Sequence, residues 1–120
     1  MPTVLVVDDE PLLRKLMRLM LEQGGFEVLT ATDGRDAMKV SEMHGGHIDL
    51  LVSDVRMPVM DGPTLVQEML ETDPNLPVLF VTGSSERVPR RKDKYFPFIE
   101  KPFSAGNLLC TVRKMLEKRH

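Results

Sequence analysis

Short apolar runs alternate with amphipathic stretches along the whole chain, and this rhythm limits the fold more than any other feature. VLVV (4–7), FEVLTA (26–31), IDLLVSD (48–54), LPVLFVTG (76–83) and FPFIEKP (96–102) are rich in β-branched and aliphatic residues and too short for helices. Between them apolar residues recur at helical spacing. Pro11 suits the first position of a helix, Leu12, Leu13, Leu16, Met17, Met20 and Leu21 follow at that spacing, and Gly24-Gly25 stop it. Asp33-Gly34 opens a second helix that ends near Gly45-Gly46, and a third runs from about Pro63 to Glu71, closed by Asp73-Pro74. The last begins after Ser104, a good N-cap, and carries Leu108, Leu109, Val112, Met115 and Leu116 on one face. Five βα units with near-continuous apolar strands predict an α/β fold, a parallel sheet covered by helices on both faces. The fourth unit is weak: SSERVPRRKDKY has little apolar periodicity and Pro89 in its middle, so its helix is expected to be short, irregular or missing.

Bulk properties narrow the function. At 120 residues the chain is expected to form one domain spanning residues 1–120, and 42% hydrophobic with 28% charged residues is a globular composition. A net charge of −2 gives no reason to expect direct nucleic-acid binding. Cys110 is the only cysteine, so no intrachain disulfide forms and a reducing, cytoplasmic setting fits; its apolar helical neighbours predict a small packed side chain. No basic segment leads into a long apolar stretch, and the apolar runs are too short to cross a membrane.

Ligands of open parallel α/β sheets bind at the carboxyl ends of the strands. Those ends carry Asp8 and Asp9 after the first strand, Asp54 after the third, Thr82-Gly83 after the fourth and Lys101-Pro102 after the fifth. Taken singly, each is ordinary: acids favour helix N-termini, threonine ends strands, and a strand-end lysine is usually solvated. Taken together they are not, because three converging carboxylates repel and need a cation. Mg²⁺, or alternatively Mn²⁺, fits, since a hard ion uses few carboxylates and keeps positions for a phosphate. Lys101 adds a point charge and Thr82 a hydroxyl donor, a set suited to a phosphoryl group. Asp54 is the best-placed nucleophile, because a carboxylate can form an acyl phosphate.

With VVDDE at the first strand, SDVRMPVMDG after the third, VTG after the fourth and EKPF after the fifth, the chain resembles the chemotaxis-Y-like receiver domains of two-component response regulators and hybrid sensor histidine kinases. The resemblance covers essentially the whole chain. It implies a flavodoxin-like, doubly wound five-stranded parallel sheet of order 2-1-3-4-5. It makes Asp54 the phosphoacceptor, with Asp9 ligating Mg²⁺ directly, Asp8 acting through a bound water, and the backbone carbonyl of Arg56 completing the set. It places Thr82 and Lys101 on the phosphoryl oxygens and implies a cis Lys101–Pro102 peptide. Phe98 matches the aromatic switch position that turns inward when the Thr82 hydroxyl moves to the phosphate; its sequence alone reads equally as a strand residue half covered by the last helix. The implied partners are a histidine kinase or histidine phosphotransfer protein as donor, and a downstream protein on the face made by the fourth helix region, fifth strand and last helix. The implied role is a signalling phosphoacceptor, not an enzyme, that assists its own phosphorylation and autodephosphorylation. Kinase activity would belong to it only as part of a hybrid histidine kinase.

Two departures stand out. The segment from Thr82 to Phe98 is shorter than the family pattern and strongly basic, with Arg87, Arg90, Arg91, Lys92 and Lys94 against Glu86 and Asp93. It reads as a solvated loop or as an altered output face for an acidic partner. Arg56 and Ser84 sit where side chains tune the lifetime of an acyl phosphate. Rival readings fit less well. An aspartate-nucleophile phosphatase would carry a second acid where Arg56 stands, and DDEP offers no glycine-rich loop for a nucleotide or flavin phosphate. A pseudo-receiver would need a defective acidic site. His44 and His47 flank Gly45-Gly46 without a cysteine or further histidine at ligand spacing, and read as a surface loop.

Overall fold

Each apolar run becomes a strand, and four of the five stretches that follow them become helices. The structure, a computed structural model, describes residues 1–83, 87–91 and 94–118. The elements are β1 (Thr3–Val7), α1 (Pro11–Gln23), β2 (Glu27–Ala31), α2 (Gly34–Met43), β3 (Leu50–Asp54), α3 (Gly62–Thr72), β4 (Val78–Thr82), β5 (Arg90–Arg91), β6 (Lys94–Tyr95), β7 (Phe98–Glu100) and α4 (Ala105–Glu117). The main sheet has the order β2-β1-β3-β4-β7 with every pair parallel, which is the expected order 2-1-3-4-5 with β7 as fifth strand.

The continuous apolar character of the strands follows from burial on both faces. Val4, Val6, Leu50, Val52, Leu79 and Val81 face α1 and α4, where Met17, Leu21, Leu108 and Val112 are buried. Leu5, Val7, Leu51 and Phe80 face the other way, onto Ala37 of α2 and Leu65, Val66 and Met69 of α3. Each such side chain removed from water contributes about 1.5–3 kcal/mol, so the two cores hold the sheet between two helical layers.

Short polar side chains set the helix starts. The carboxylates of Asp33 and Asp61 accept from the N–H groups of Asp36 (2.8 Å) and Thr64 (3.0 Å), and the Ser104 hydroxyl accepts from Asn107 N–H (3.0 Å). The start of α1 differs, because Glu10 makes no side-chain cap. Instead, the Asp8 carboxylate reaches forward to the Glu10 N–H at 2.8 Å.

Among the described residues no helix lies between β4 and β7, as Pro89 and the missing periodicity suggest. An antiparallel hairpin of β5 and β6 takes its place, with Arg90 opposite Tyr95 and Arg91 opposite Lys94. A hairpin thus stands where the sequence led one to expect a short or irregular fourth helix. Ser84 lies outside the described residues. One expectation is overturned: Cys110 is exposed rather than packed. It sits two positions from both Leu108 and Val112, about 200° round the helix from either, so the burial of that stripe turns Cys110 to solvent. Among the described residues no helix is long and apolar enough to cross a membrane.

Candidate functional site

Parallel pairing puts the site together. Val7 lies opposite Ser53, so the residues that follow, Asp8 and Asp54, leave neighbouring strands side by side. Asp8, Asp9 and Asp54 each offer a carboxylate oxygen within 4.8 Å of the others, with Asp8 and Asp54 buried and Asp9 exposed. Among the described residues this is the only group of three acids, histidines or cysteines so placed.

The acids are held differently. Asp8 Oδ1 accepts from Glu10 N–H, while its buried Oδ2 has no hydrogen-bond partner. Burial pushes the Asp8 carboxyl up to about 6, against the Glu10 N–H; the charge of Asp54 raises it further, Lys101 opposes, and Asp9 adds to the rise. An unpartnered buried carboxylate oxygen beside two like charges is costly without a cation. The donor set, all carboxylate oxygen, fits a hard divalent ion.

Asp54 is tied on three sides. Its Oδ1 accepts from Val55 N–H at 2.9 Å, its Oδ2 lies 3.2 Å from Lys101 Nζ, and its backbone carbonyl accepts from the Ser53 hydroxyl at 2.8 Å. Lys101 is brought there by the end of β7: its N–H donates to the Thr82 carbonyl at 2.8 Å, and the Lys101–Pro102 peptide is cis. Asp54 lies opposite Val81, so Thr82 stands one residue further along the next strand. Its hydroxyl is turned to the Gly83 carbonyl at 2.9 Å. Arg56 follows in the loop after β3 with its side chain exposed. Phe98 pairs with Phe80 and is 44% exposed. The geometry thus gathers Asp8, Asp9, Asp54 and Lys101, with Thr82 on the same edge; Phe98 lies two residues before Glu100, the strand partner of Thr82.

Three supports were not anticipated from the sequence. Arg14 Nη1 donates to the Asp8 carbonyl at 2.7 Å and so braces the turn that carries both acids. Gly62 packs against the end of β3: its N–H donates to the Val55 carbonyl at 3.0 Å, and a Cβ there would collide with the Asp54 carbonyl and reach the Phe80 ring at 3.0 Å. Val59 has φ 69° and is spanned by a Met60 N–H to Pro58 carbonyl bond of 2.8 Å, a tight three-residue turn with positive φ. In the sequence Gly62 is marked as the last residue of SDVRMPVMDG, directly after the helix cap Asp61, but nothing there gives its packing role.

A model of the response regulator receiver domain matches residues 4–113. The chain belongs to that family. As a receiver domain it has a phosphoacceptor role in two-component signalling. It is 42% identical to the sensor kinase CckA of Brucella abortus over 120 residues, 98% of this chain but 13% of that protein. It is 36% identical to the C4-dicarboxylate transport transcriptional regulatory protein DctD of Rhizobium meliloti, covering 98% of the chain and 26% of the relative. The receiver thus spans about a quarter or less of these curated relatives. Among solved structures, the receiver domain of the hybrid histidine kinase CckA superposes with a TM-score of 0.80 at 35% identity, covering 95% of this chain and 98% of that one. A response regulator receiver protein from Sinorhizobium medicae gives 0.83 at 30% identity, covering 99% and 97%.

Proposed function

We propose that Asp54 accepts the phosphoryl group of a phosphohistidine on a histidine kinase or histidine phosphotransfer protein. A carboxylate oxygen of Asp54 attacks phosphorus; the new P–O bond forms as the P–N bond breaks, and its electron pair returns to the imidazole. The observation that carries this reading is the setting of the Asp54 carboxylate, 3.2 Å from the Lys101 ammonium and beside an Asp8 oxygen that lacks a partner. Lys101 draws the carboxylate into place and then neutralises the product's oxygens. Thr82 leaves the Gly83 carbonyl to donate to the phosphoryl group, and Phe98 follows that movement. Asp8, Asp9, Asp54 and the Arg56 carbonyl would hold Mg²⁺ or Mn²⁺, which when bound neutralises charge on the transferred group.

Residues 1–120 act on this reading as one cytoplasmic receiver that takes up and loses its own phosphoryl group, not as a turnover enzyme. The change at Thr82 and Phe98 is read by a downstream protein on the face of the hairpin, β7 and α4, a local electrostatic event with a remote readout. The likeness to CckA supports a place in a phosphorelay fed by a hybrid kinase. The test is incubation with phosphoramidate, a P–N donor, and Mg²⁺, followed by intact mass. One phosphoryl group is expected on the wild-type chain, and none after chelation or in Asp54→Asn. Equal uptake by Asp54→Asn would overturn the assignment.

A further inference from the structure

The side of α1 that meets the edge of the sheet carries charge of one sign. Arg14, Lys15 and Arg18 stand one and four residues apart, a spacing that sets all three on the same side of the helix. That side is separate from the core stripe of Leu13, Met17, Met20 and Leu21. With Pro11 and with Thr30 of β2, the outer strand of the sheet, the three cations line a cavity of about 420 Å³. Its size falls within the roughly 300–1,000 Å³ usual for ligand clefts.

Helix electrostatics alone work against this arrangement. Cations four residues apart repel, and Arg14 and Lys15 follow directly on the first turn of α1, at the positive end of its dipole. That first turn holds no acid, whereas the first turn of α2 holds Asp36. Among the described residues the one acid paired with the set is Glu22, 3.8 Å from Arg18 Nε. That separation is too long for a hydrogen bond, and the nitrogen, shut off from solvent, has no acceptor. Lys15 has neither ion pair nor hydrogen bond among the described residues. Arg14 spends one N–H of Nη1 on the Asp8 carbonyl at 2.7 Å, and its other donors have no acceptor among the described residues.

We propose that this cavity binds a small anion of the diphosphate class, held by Arg14, Lys15 and Arg18. Guanidinium groups match phosphate oxygens in pairs, and the lysine adds a point charge. A monophosphate carries about −1.5 to −2 charges and leaves the third cation partly unanswered; a diphosphate answers all three. No aromatic side chain lines the cavity, so it holds the phosphates and leaves the rest of the ligand unread. Arg14 ties the cavity to the acidic site, because the guanidinium an anion would draw is the one that braces the turn of Asp8 and Asp9. Anion binding therefore loosens that turn and, in a clause that rests on the phosphoacceptor reading, weakens its hold on the cation.

The test titrates the full chain, isotope-labelled, with inorganic pyrophosphate in the presence of chelator and without a phosphodonor. Amides of 12–18 and 30 are expected to shift, and those of 8–10 with them at the same affinity. Adenosine diphosphate should bind about as tightly as pyrophosphate, orthophosphate more weakly, and all of them less at high salt. Lys15→Gln and Arg18→Gln should each weaken binding about three- to fivefold, the scale of an exposed ion pair. Glu22→Gln frees Arg18 and should tighten it. Arg14→Met should weaken binding and abolish the shift at 8–10. Shifts confined to another face such as 87–101, equal binding of orthophosphate, or unchanged affinity in both Lys15→Gln and Arg18→Gln would overturn the site. Amides of 8–10 that stay still at saturation would overturn the link through Arg14. With neither metal nor donor present, these outcomes stand apart from the acceptor assignment, which phosphoryl uptake from phosphoramidate decides alone.

Discussion

Lys101 and Asp54 stand 47 positions apart in sequence and meet at 3.2 Å between Nζ and Oδ2. Lys101 is the one cation set against three converging carboxylates by the described geometry, so the two residues respond oppositely to neutralisation. Asp54→Asn removes one like charge and is expected to leave stability unchanged or slightly raised without Mg²⁺. Lys101→Met leaves the three acids facing one another. It should destabilise by about 1–3 kcal/mol, below the ~3–5 kcal/mol of a fully buried pair because the lysine is partly solvated. It should also slow phosphoryl uptake by about 10²-fold, the usual cost of one charge-stabilising donor. Urea unfolding with chelator and a phosphoramidate time course measure both.

Asp8 predicts a pH dependence. Its folded pKa of about 6 lies above the ordinary 3.8, so between those values the folded chain holds more protons than the unfolded one. Stability from this group is therefore greatest below about pH 4 and is lost as pH rises through 6, by about 3 kcal/mol at most. Asp8→Asn should be more stable than wild type at pH 8 in chelator, and the advantage should vanish near pH 4. Added Mg²⁺ should stabilise the wild type at pH 8 and progressively less below pH 6, where protons compete for the carboxylate. Thermal unfolding across pH, with and without Mg²⁺, reads these effects.

Gly62 predicts a steric dependence. In Gly62→Ala the new methyl meets the Asp54 carbonyl and the Phe80 ring, so a cost of about 1–3 kcal/mol is expected with reduced phosphoryl uptake. Gly106 in α4 is the contrast: a Cβ there has nothing nearer than the Ser104 hydroxyl at 3.9 Å. Gly106→Ala, in the first turn of α4, should stabilise by up to about 0.5 kcal/mol, less than the roughly 0.5–1 kcal/mol of a helix interior, and leave uptake unchanged.

Val59 holds a β-branched side chain, 73% exposed, at a φ that glycine adopts without strain. Val59→Gly relieves about 1–2 kcal/mol of backbone strain and returns part of it as unfolded-chain entropy. A net gain of up to about 1 kcal/mol is expected in denaturant unfolding. A loss would show that the side chain makes compensating contacts.

The two-sided burial that positions these residues was legible because it forces near-continuous apolar runs, and the strand order followed from the family motifs. Asp8, Asp9, Asp54 and Lys101 could be named because strand ends share one edge. What stayed hidden depends on details that periodicity does not encode. Pro89 signals the loss of a helix but not the hairpin that supplants it. Cys110 has apolar neighbours in sequence but lies on the far side of the helix from them. Arg14 bonds to the Asp8 carbonyl and Gly62 to the Val55 carbonyl, and bonds to backbone groups are marked by no side-chain pattern.

The central claim is that Asp54 itself becomes the acyl phosphate. Borohydride added after phosphoramidate and Mg²⁺ treatment reduces an acyl phosphate to an alcohol, and peptide fragmentation then locates the reduced carboxyl. The account predicts reduction at Asp54 alone, dependent on both donor and Mg²⁺. Reduction at Asp8, at Asp9 or at no carboxyl, despite uptake of a phosphoryl group, would contradict it.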